Sequence, residues 1–491
     1  MLRCSSYEEA LTHLAGKPIV TIATGATCAY LGDERNLREF LVADEAAKRL
    51  RAAGHTVFSL LIDDSLDPLT FRQLRVAVNK DEELISQYKD SCGKPIALLA
   101  DPWGCHDSYA AHFESELLDR LHHLDCHPSL VSTSKLYRSG VYAPYVQLVL
   151  ERHMEIREFL HARFPGYQPE KLFWVLCPDC GYIDETRIEG TTRKTADVSC
   201  GHCERARSIA FTDIQGKLNW KLDCAVRWAL FSIDAEPFTK SYLEPQAGSV
   251  AVAQALSEEF FGGHSVLPLH YGTVKMDKAL GHKLLQSLPP SALRALLVEK
   301  PSSDLTLTND LIVTTASRHA VLPGLSYLDF ARQLLPIWLL TPGDLSPHQR
   351  ELLAQGVAFS RHFLGAEVRL HLPTRAKMQN ELPEVLRAAW TLLTQVIDVR
   401  LCSAASSQPS CLSEEEQQEV IKRLAGNIGG QKKAVLHLLR GLTGQEQGLP
   451  VARLLSLLPL DYLQLLSDLL DLSLTAQVSS PAATVSLRLA A

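Results

Sequence analysis

The chain has 491 residues, of which 46% are hydrophobic and 21% charged, and its formal net charge is -7 at neutral pH. That balance is expected of a soluble globular protein that buries a real core across about three domains. It excludes a generally basic nucleic-acid coat but leaves room for a local basic patch, because counterion release depends on the residues that touch phosphate.

Met1 to Val20 carries Glu8 and Glu9 and no long apolar core, so it does not read as a signal peptide. Lys17 to Ala23 is a short apolar run rich in β-branched residues and leads into Thr24-Gly25-Ala26-Thr27. An amphipathic helix is predicted from about Asn36 to Ala53, and a second strand over Thr56 to Asp63. This order is a βαβ unit, the start of a parallel sheet whose site lies at the carboxyl ends of its strands. Gly25, Thr27 and the pair Asp63-Asp64 therefore fall on the functional rim. Asp107 to Phe164 reads as mostly helical, Phe173 to Ala210 as a cysteine-bearing insert, and Lys217 to Leu285 as mixed α/β. From about Ser291 the pattern is helical, broken by the polar stretch Ser403 to Ser413. Val451 to Leu474 is strongly apolar, yet Arg453, Asp461, Asp468 and Asp471 make it a packed helix pair rather than a membrane span. Twelve cysteines with no secretory signal read as reduced thiols in a cytoplasmic protein.

Four of those cysteines have metal spacing. Cys177-Pro178-Asp179-Cys180 and Cys200-Gly201-His202-Cys203 are two knuckles about twenty residues apart, each able to present two thiolates to one ion. Such a Cys₄ site leaves no open position, so zinc there is structural and stabilises an insert too small for its own core. The alternative is four unrelated thiols. Asp101-Pro102-Trp103-Gly104-Cys105-His106-Asp107-Ser108-Tyr109 reads locally as a turn into a helix capped by Asp107 or Ser108. Lys422, Arg423, Lys432, Lys433 and Arg440 lie on the last helical unit, either as a solvated face or as an RNA contact.

Together these segments resemble the class I lysyl-tRNA synthetases. The resemblance is carried by Thr24 to Thr27, Asn36-Leu37-Arg38-Glu39-Phe40, Asp63-Asp64 and the Asp101 to Phe113 segment. It continues through Trp220-Lys221-Leu222-Asp223, Arg227-Trp228, Ile233 to Phe238 and Gly441 to Ser456, in family order from about residue 18 to about 470. It implies an α/β fold: a Rossmann-type catalytic domain in two halves, 1–172 and 213–290, the second half carrying the mobile ATP loop. A zinc-bearing insert over 173–212 separates the halves. All-α parts follow, a helical connector over 291–402 and an anticodon-binding-like domain over 412–491. The implied reaction activates lysine with ATP as lysyl-adenylate, with release of pyrophosphate, and then transfers the lysyl group to tRNA. Gly25, Thr27 and Tyr271 match amino-acid pocket positions.

Three elements depart from the family pattern. Where the family reads His-x-Gly-Asn, this chain has Asp33-Glu34-Arg35-Asn36. The lost histidine would hydrogen-bond the α-phosphate, and the lost glycine would let the nucleotide lie on the backbone. Where the family has Gly-x-Asp-His, the chain has Thr239-Lys240-Ser241-Tyr242. The mobile loop reads Lys275-Met276-Asp277-Lys278-Ala279-Leu280-Gly281-His282; both phosphate-neutralising lysines, Lys275 and Lys278, remain. ATP with magnesium is therefore not expected to be handled in the ordinary way. Thr133-Ser134-Lys135-Leu136-Tyr137 stands where the family often has Ser-x-Glu-x-Tyr; Lys135 near the pocket would disfavour a cationic side chain, and on the surface would be inert. The expected ligand is lysine or a relative, with tRNA as a further partner and no membrane. Three classes stay open: an atypical lysine–tRNA ligase, an enzyme condensing lysine with another small molecule, and a non-catalytic binding protein.

Overall fold

The computed structural model describes residues 6–365, apart from 246, 277–279, 281–282 and 339–344, together with Leu463. Lys278, the basic positions from Lys422 to Arg440, and, apart from Leu463, the regions 366–402 and 412–491 thus lie outside the described residues.

The chain opens its sheet with β1, Ile19–Ala26, whose residues from Val20 to Thr24 are buried in succession. Burial on both faces marks a central strand of a parallel sheet. Helix α1, Leu37–Ala52, leads to β2, Thr56–Asp63, which pairs with β1 in parallel from Ile19–Thr56 to Ala26–Asp63. Strand β1 therefore runs three residues further than its β-branched sequence suggests, because Gly25 and Ala26 keep their partners on β2. Helix α2, Tyr109–His123, is capped by Ser108, which accepts from the Ala111 N–H at 3.1 Å, and precedes β3, Ser129–Ser132. After the insert come helix α3, Trp220–Leu230, then β4, Ala235–Phe238, and β5, Leu267–His270.

The five strands are all parallel in the order β5-β4-β1-β2-β3. The chain builds outward from β1 in one direction, then returns to build in the other. That reversal leaves a crevice between the carboxyl ends of β1 and β4, where open α/β sheets bind ligands. The core beneath it includes Ala23, Ile62, Leu222 and Trp228, each fully buried.

The insert leaves and re-enters through an antiparallel pair, Phe173–Val175 with Gly216–Leu218, and carries a three-stranded antiparallel sheet of Thr186–Thr191, Thr195–Cys200 and Ala206–Ala210. Beyond Ser291 the chain is less uniformly helical than its sequence suggests. Leu305–Leu307 pairs in parallel with Val274–Met276, and Ala320–Leu322 pairs antiparallel with Leu325–Ser326. The first of these is organised by Arg38 on α1. Its guanidinium donates to the carbonyls of Gly272 at 2.8 Å, Lys300 at 2.9 Å and Ser303 at 2.9 Å. Contacts divide the chain into one unit of 1–282 with 293–308, and a second of 283–292 with 309–491. Among the described residues no helix is long and apolar enough to cross a membrane.

Candidate functional site

The crevice between β1 and β4 holds an inner cavity of about 160 Å³. Its walls come from Thr24 to Thr27 of β1, Glu39 of α1, Asp64 after β2, Trp220, Cys224 and Arg227 of α3, and Glu236 to Phe238 of β4, with Tyr242 at the mouth. Gly25 is not demanded by the protein's own packing. A Cβ added there would meet nothing closer than Arg227 Nη1 at 3.6 Å, and its φ is not positive. The space above Gly25 belongs to the cavity.

The cavity floor is a buried charge network. Arg227, almost wholly buried, donates from Nε to Asp223 at 3.0 Å and from Nη2 to Asp64 at 2.8 Å. The Tyr137 and Tyr142 hydroxyls donate to the two Asp223 oxygens at 2.7 and 3.1 Å. Thr27 donates to Asp67 at 2.6 Å, and Asp67 pairs with buried Lys217. Burial alone would depress the Lys217 ammonium, but Asp67, Asp64 and Asp223 outweigh it and raise it to about 12. Each charge here has its partner, as burial requires. Two carboxyls differ. Glu39 accepts from the Tyr271 hydroxyl at 3.0 Å, and Glu236 from Trp228 Nε1 at 2.9 Å. Loss of water pushes both up to about 7, Glu39 despite its Tyr271 bond and Glu236 despite Arg227.

A wider cavity of about 520 Å³ adjoins the inner one, with Arg35, Asn36, Ser241, Tyr242 and Tyr271 in its wall. Asp33 caps the short turn Glu34–Asn36 by accepting from the Arg35 N–H at 3.0 Å and grips the Arg35 guanidinium, with Nε at 2.8 Å. The Asn36 amide fills the space over Gly32, where a Cβ would fall 1.7 Å from Nδ2. The Tyr242 ring packs edge-on to Trp220 with centroids 6.0 Å apart and lies the same distance from Phe238. Ser241 bonds Thr239 at 3.0 Å.

Gly25, Thr27 and Tyr242 thus meet in the inner cavity, while Arg35, Asn36, Ser241 and Tyr271 line the outer one. Asp33 reaches the outer cavity only through Arg35. Lys275 is exposed on Val274–Met276. Lys135 is exposed and lines neither cavity, which fits the inert alternative. Sequence reasoning passed over Glu39, Glu236 and Arg227 as pocket residues. The available signal was an acid or a base inside an otherwise apolar strand or helix, as in Ala235-Glu236-Pro237-Phe238.

Among the described residues, two clusters of metal-type donors lie apart from the crevice. The Sγ atoms of Cys177, Cys180, Cys200 and Cys203 all lie within 4.8 Å of one another, with Cys177–Cys203 at 3.7 Å and Cys180–Cys200 at 3.6 Å. A tetrahedron of thiolates about 2.3 Å from zinc has edges of about 3.8 Å. Gly181, at φ +76°, makes the first knuckle's turn. The second cluster, Asp101, Cys105, His106 and His112, escaped the sequence reading because its donors are unevenly spaced. Cys105 Sγ lies 3.1 Å from Asp101 Oδ2, 3.2 Å from His106 Nδ1 and 3.3 Å from His112 Nδ1. Trp103 stacks on His112 at 4.3 Å.

A family model described as tRNA synthetases class I (K) matches residues 7–315. The lysine–tRNA ligase of Archaeoglobus fulgidus is 29% identical over 296 residues, covering 56% of this chain and 57% of its own. That of Treponema pallidum is 28% identical over 314 residues, 60% of this chain and 57% of its own. For lysine–tRNA ligase 1 of Methanosarcina acetivorans the figures are 27%, 305 residues, 59% and 55%. The chain spans just over half the length of these relatives. A solved arginyl-tRNA synthetase of Thermus thermophilus overlaps only loosely, with TM-score 0.28 and 13% identity over 97% of this chain and 78% of that one.

Proposed function

The chain belongs to the class I lysyl-tRNA synthetase family, and from that premise we propose that it binds lysine or a close relative while ATP-dependent aminoacylation of tRNA is lost or strongly rebuilt. The observation that carries this reading is the Asp33–Arg35 ion pair. In the family, the same two positions offer a histidine to the α-phosphate and a glycine surface to the nucleotide. Here they present a carboxylate, which repels a triphosphate, and a guanidinium already committed to that carboxylate. Loss of one such transition-state donor costs about 3–4 kcal/mol. Ser241 and Tyr242 remove a second set of contacts, and Tyr242 adds bulk at the junction of the cavities.

The inner cavity supports the binding half of the proposal. Its floor is charge-matched, its glycine leaves open space, and it sits at the switch point of the sheet. The outer cavity stays open beside Arg35, which favours one of the rival readings: an enzyme that joins its amino acid to a second small molecule other than ATP. Zinc on the four cysteines would close a tetrahedral site and hold the insert; the second cluster has a donor set and spacing that also suit zinc. Thermal-shift titration separates the halves of the proposal. Lysine raises the melting point in proportion to RT ln(1 + [L]/Kd), and ATP with magnesium leaves it unmoved. A shift with ATP as large as that with lysine would refute the reading.

A further inference from the structure

Lys217 is only 5% exposed, yet it lines neither cavity of the crevice. It stands on Gly216–Leu218, the strand by which the chain leaves the cysteine insert. That strand lies so close to its partner Phe173–Val175 that a Cβ on Gly216 would fall 2.0 Å from the Trp174 carbonyl oxygen. The Leu218 N–H also donates to the Tyr137 hydroxyl at 2.9 Å. From this firm mount the Lys217 ammonium pairs with Oδ1 of Asp67, while Oδ2 of the same carboxylate accepts from the Thr27 hydroxyl at 2.6 Å. Thr27 belongs to the wall of the inner cavity. The insert reaches Asp67 by a second route. The Ile183 N–H, beside the first knuckle, donates to the Gly93 carbonyl at 3.0 Å, and the Ile96 N–H of the same segment donates to the Asp67 carbonyl at 3.0 Å.

Resting on the reading of this crevice as an amino-acid pocket, we propose that Lys217 and Asp67 are positioning residues, through which the stem of the insert fixes the Thr27 hydroxyl as a hydrogen-bond acceptor toward the ligand. A hydroxyl has one hydrogen and two lone pairs and turns to suit its partners, whereas a carboxylate only accepts. Asp67 therefore takes the Thr27 hydrogen and leaves the lone pairs for the cavity. The ammonium is what keeps Asp67 in that role. A half-buried carboxylate without its cation would swing to water or take up a proton, and a protonated Asp67 could donate to Thr27 and reverse its polarity. The dependence is mutual, because a buried ammonium is costly to leave unpaired. A ligand then meets a hydroxyl already turned, and no rotor has to be ordered on binding. Lys217 acts on the ligand only through Thr27.

The test is a double-mutant cycle on L-lysine affinity, measured by calorimetry with the full chain. Lys217→Met is expected to weaken binding by about tenfold in the parent, and by less than about twofold in Thr27→Val, where no hydroxyl remains to be turned. Lys217→Arg keeps the cation and should bind within about threefold of the parent. Circular dichroism with a thermal melt establishes that each variant folds; should Lys217→Met not fold, Lys217→Gln takes its place in the cycle. An equal loss in both backgrounds would make Lys217 a general support of the fold and overturn the positioning role. A Lys217→Arg protein as weak as Lys217→Met, or lysine binding that no Lys217 variant changes, would overturn it too. Each of these results leaves the amino-acid pocket standing. Failure of the unaltered protein to bind lysine overturns the pocket and the positioning role together.

Discussion

Gly25 separates a packing role from a ligand role. The protein itself has room for a methyl group there, with 3.6 Å to Arg227 Nη1. Gly25→Ala should therefore leave the melting temperature within about 2 °C of the parent yet abolish the stabilisation by lysine; an unchanged lysine shift would remove Gly25 from the pocket. Asp223 shows the opposite behaviour. Its carboxylate anchors Arg227, Tyr137 and Tyr142 in the core. Replacing it with alanine leaves Arg227 with one partner and should cost on the order of 3–5 kcal/mol in urea unfolding. The two glutamates add a pH dependence. Their folded values, about 7, lie above the unfolded value near 4.5, so the folded state binds more protons between them. Stability from these groups is full below about 4.5 and is lost as pH rises through about 7. Glu236→Gln should flatten that slope in melts without ligand; an unaltered slope would mean Glu236 is ionised in the empty cavity. At this scale the sequence was only partly legible. Gly25 and Thr27 sit at a strand end, which periodicity locates. Glu39 and Glu236 sit within a helix and a strand, and their convergence depends on strand order, which no local pattern encodes.

Elements were more legible than residues where the signal is local. The span of β2 follows from its β-branched run, and α1 from its 3.6-residue period and the polar turn before it. The strand Leu305–Leu307 was not legible, because what fixes it is a set of carbonyls gathered by Arg38 from more than 230 positions away. The metal-type donors combine both cases: the knuckles of the cysteine insert are a sequence signal, while the uneven Asp101, Cys105, His106 and His112 set, outside the insert, becomes a cluster only where the turn before α2 meets His112 on that helix. Metal analysis of protein prepared without chelator should find close to one zinc for the four-cysteine site, and Cys200→Ser should lose it. Chelation should speed amide exchange across 173–210. Less than about half an equivalent of zinc would contradict the assignment. His112→Asn tests the second cluster separately, by whether it lowers the metal content further.

At the scale of the whole molecule, the parallel sheet and the family model place the chain among the class I lysyl-tRNA synthetases, and the proposed reading is that its phosphate end has been rewritten. The sheet reversal, the Gly25 space and the buried ion network support the amino-acid half. Asp33, Arg35, Ser241 and Tyr242 oppose the nucleotide half. Two lost interactions of about 3 kcal/mol each would slow activation by about ten-thousandfold if they were additive. On this reading Lys275 and Lys278 would neutralise phosphate charge but would rebuild no shelf for adenosine. The most direct test is lysine-dependent ATP–pyrophosphate exchange, measured over a range of lysine concentrations beside the Archaeoglobus fulgidus enzyme, with the double change Asp33→His and Arg35→Gly as a third arm. The account predicts exchange by the unaltered protein at least about a thousandfold below that enzyme. Exchange within about a hundredfold of it would contradict the account, since some other residue would then have taken over the histidine's role.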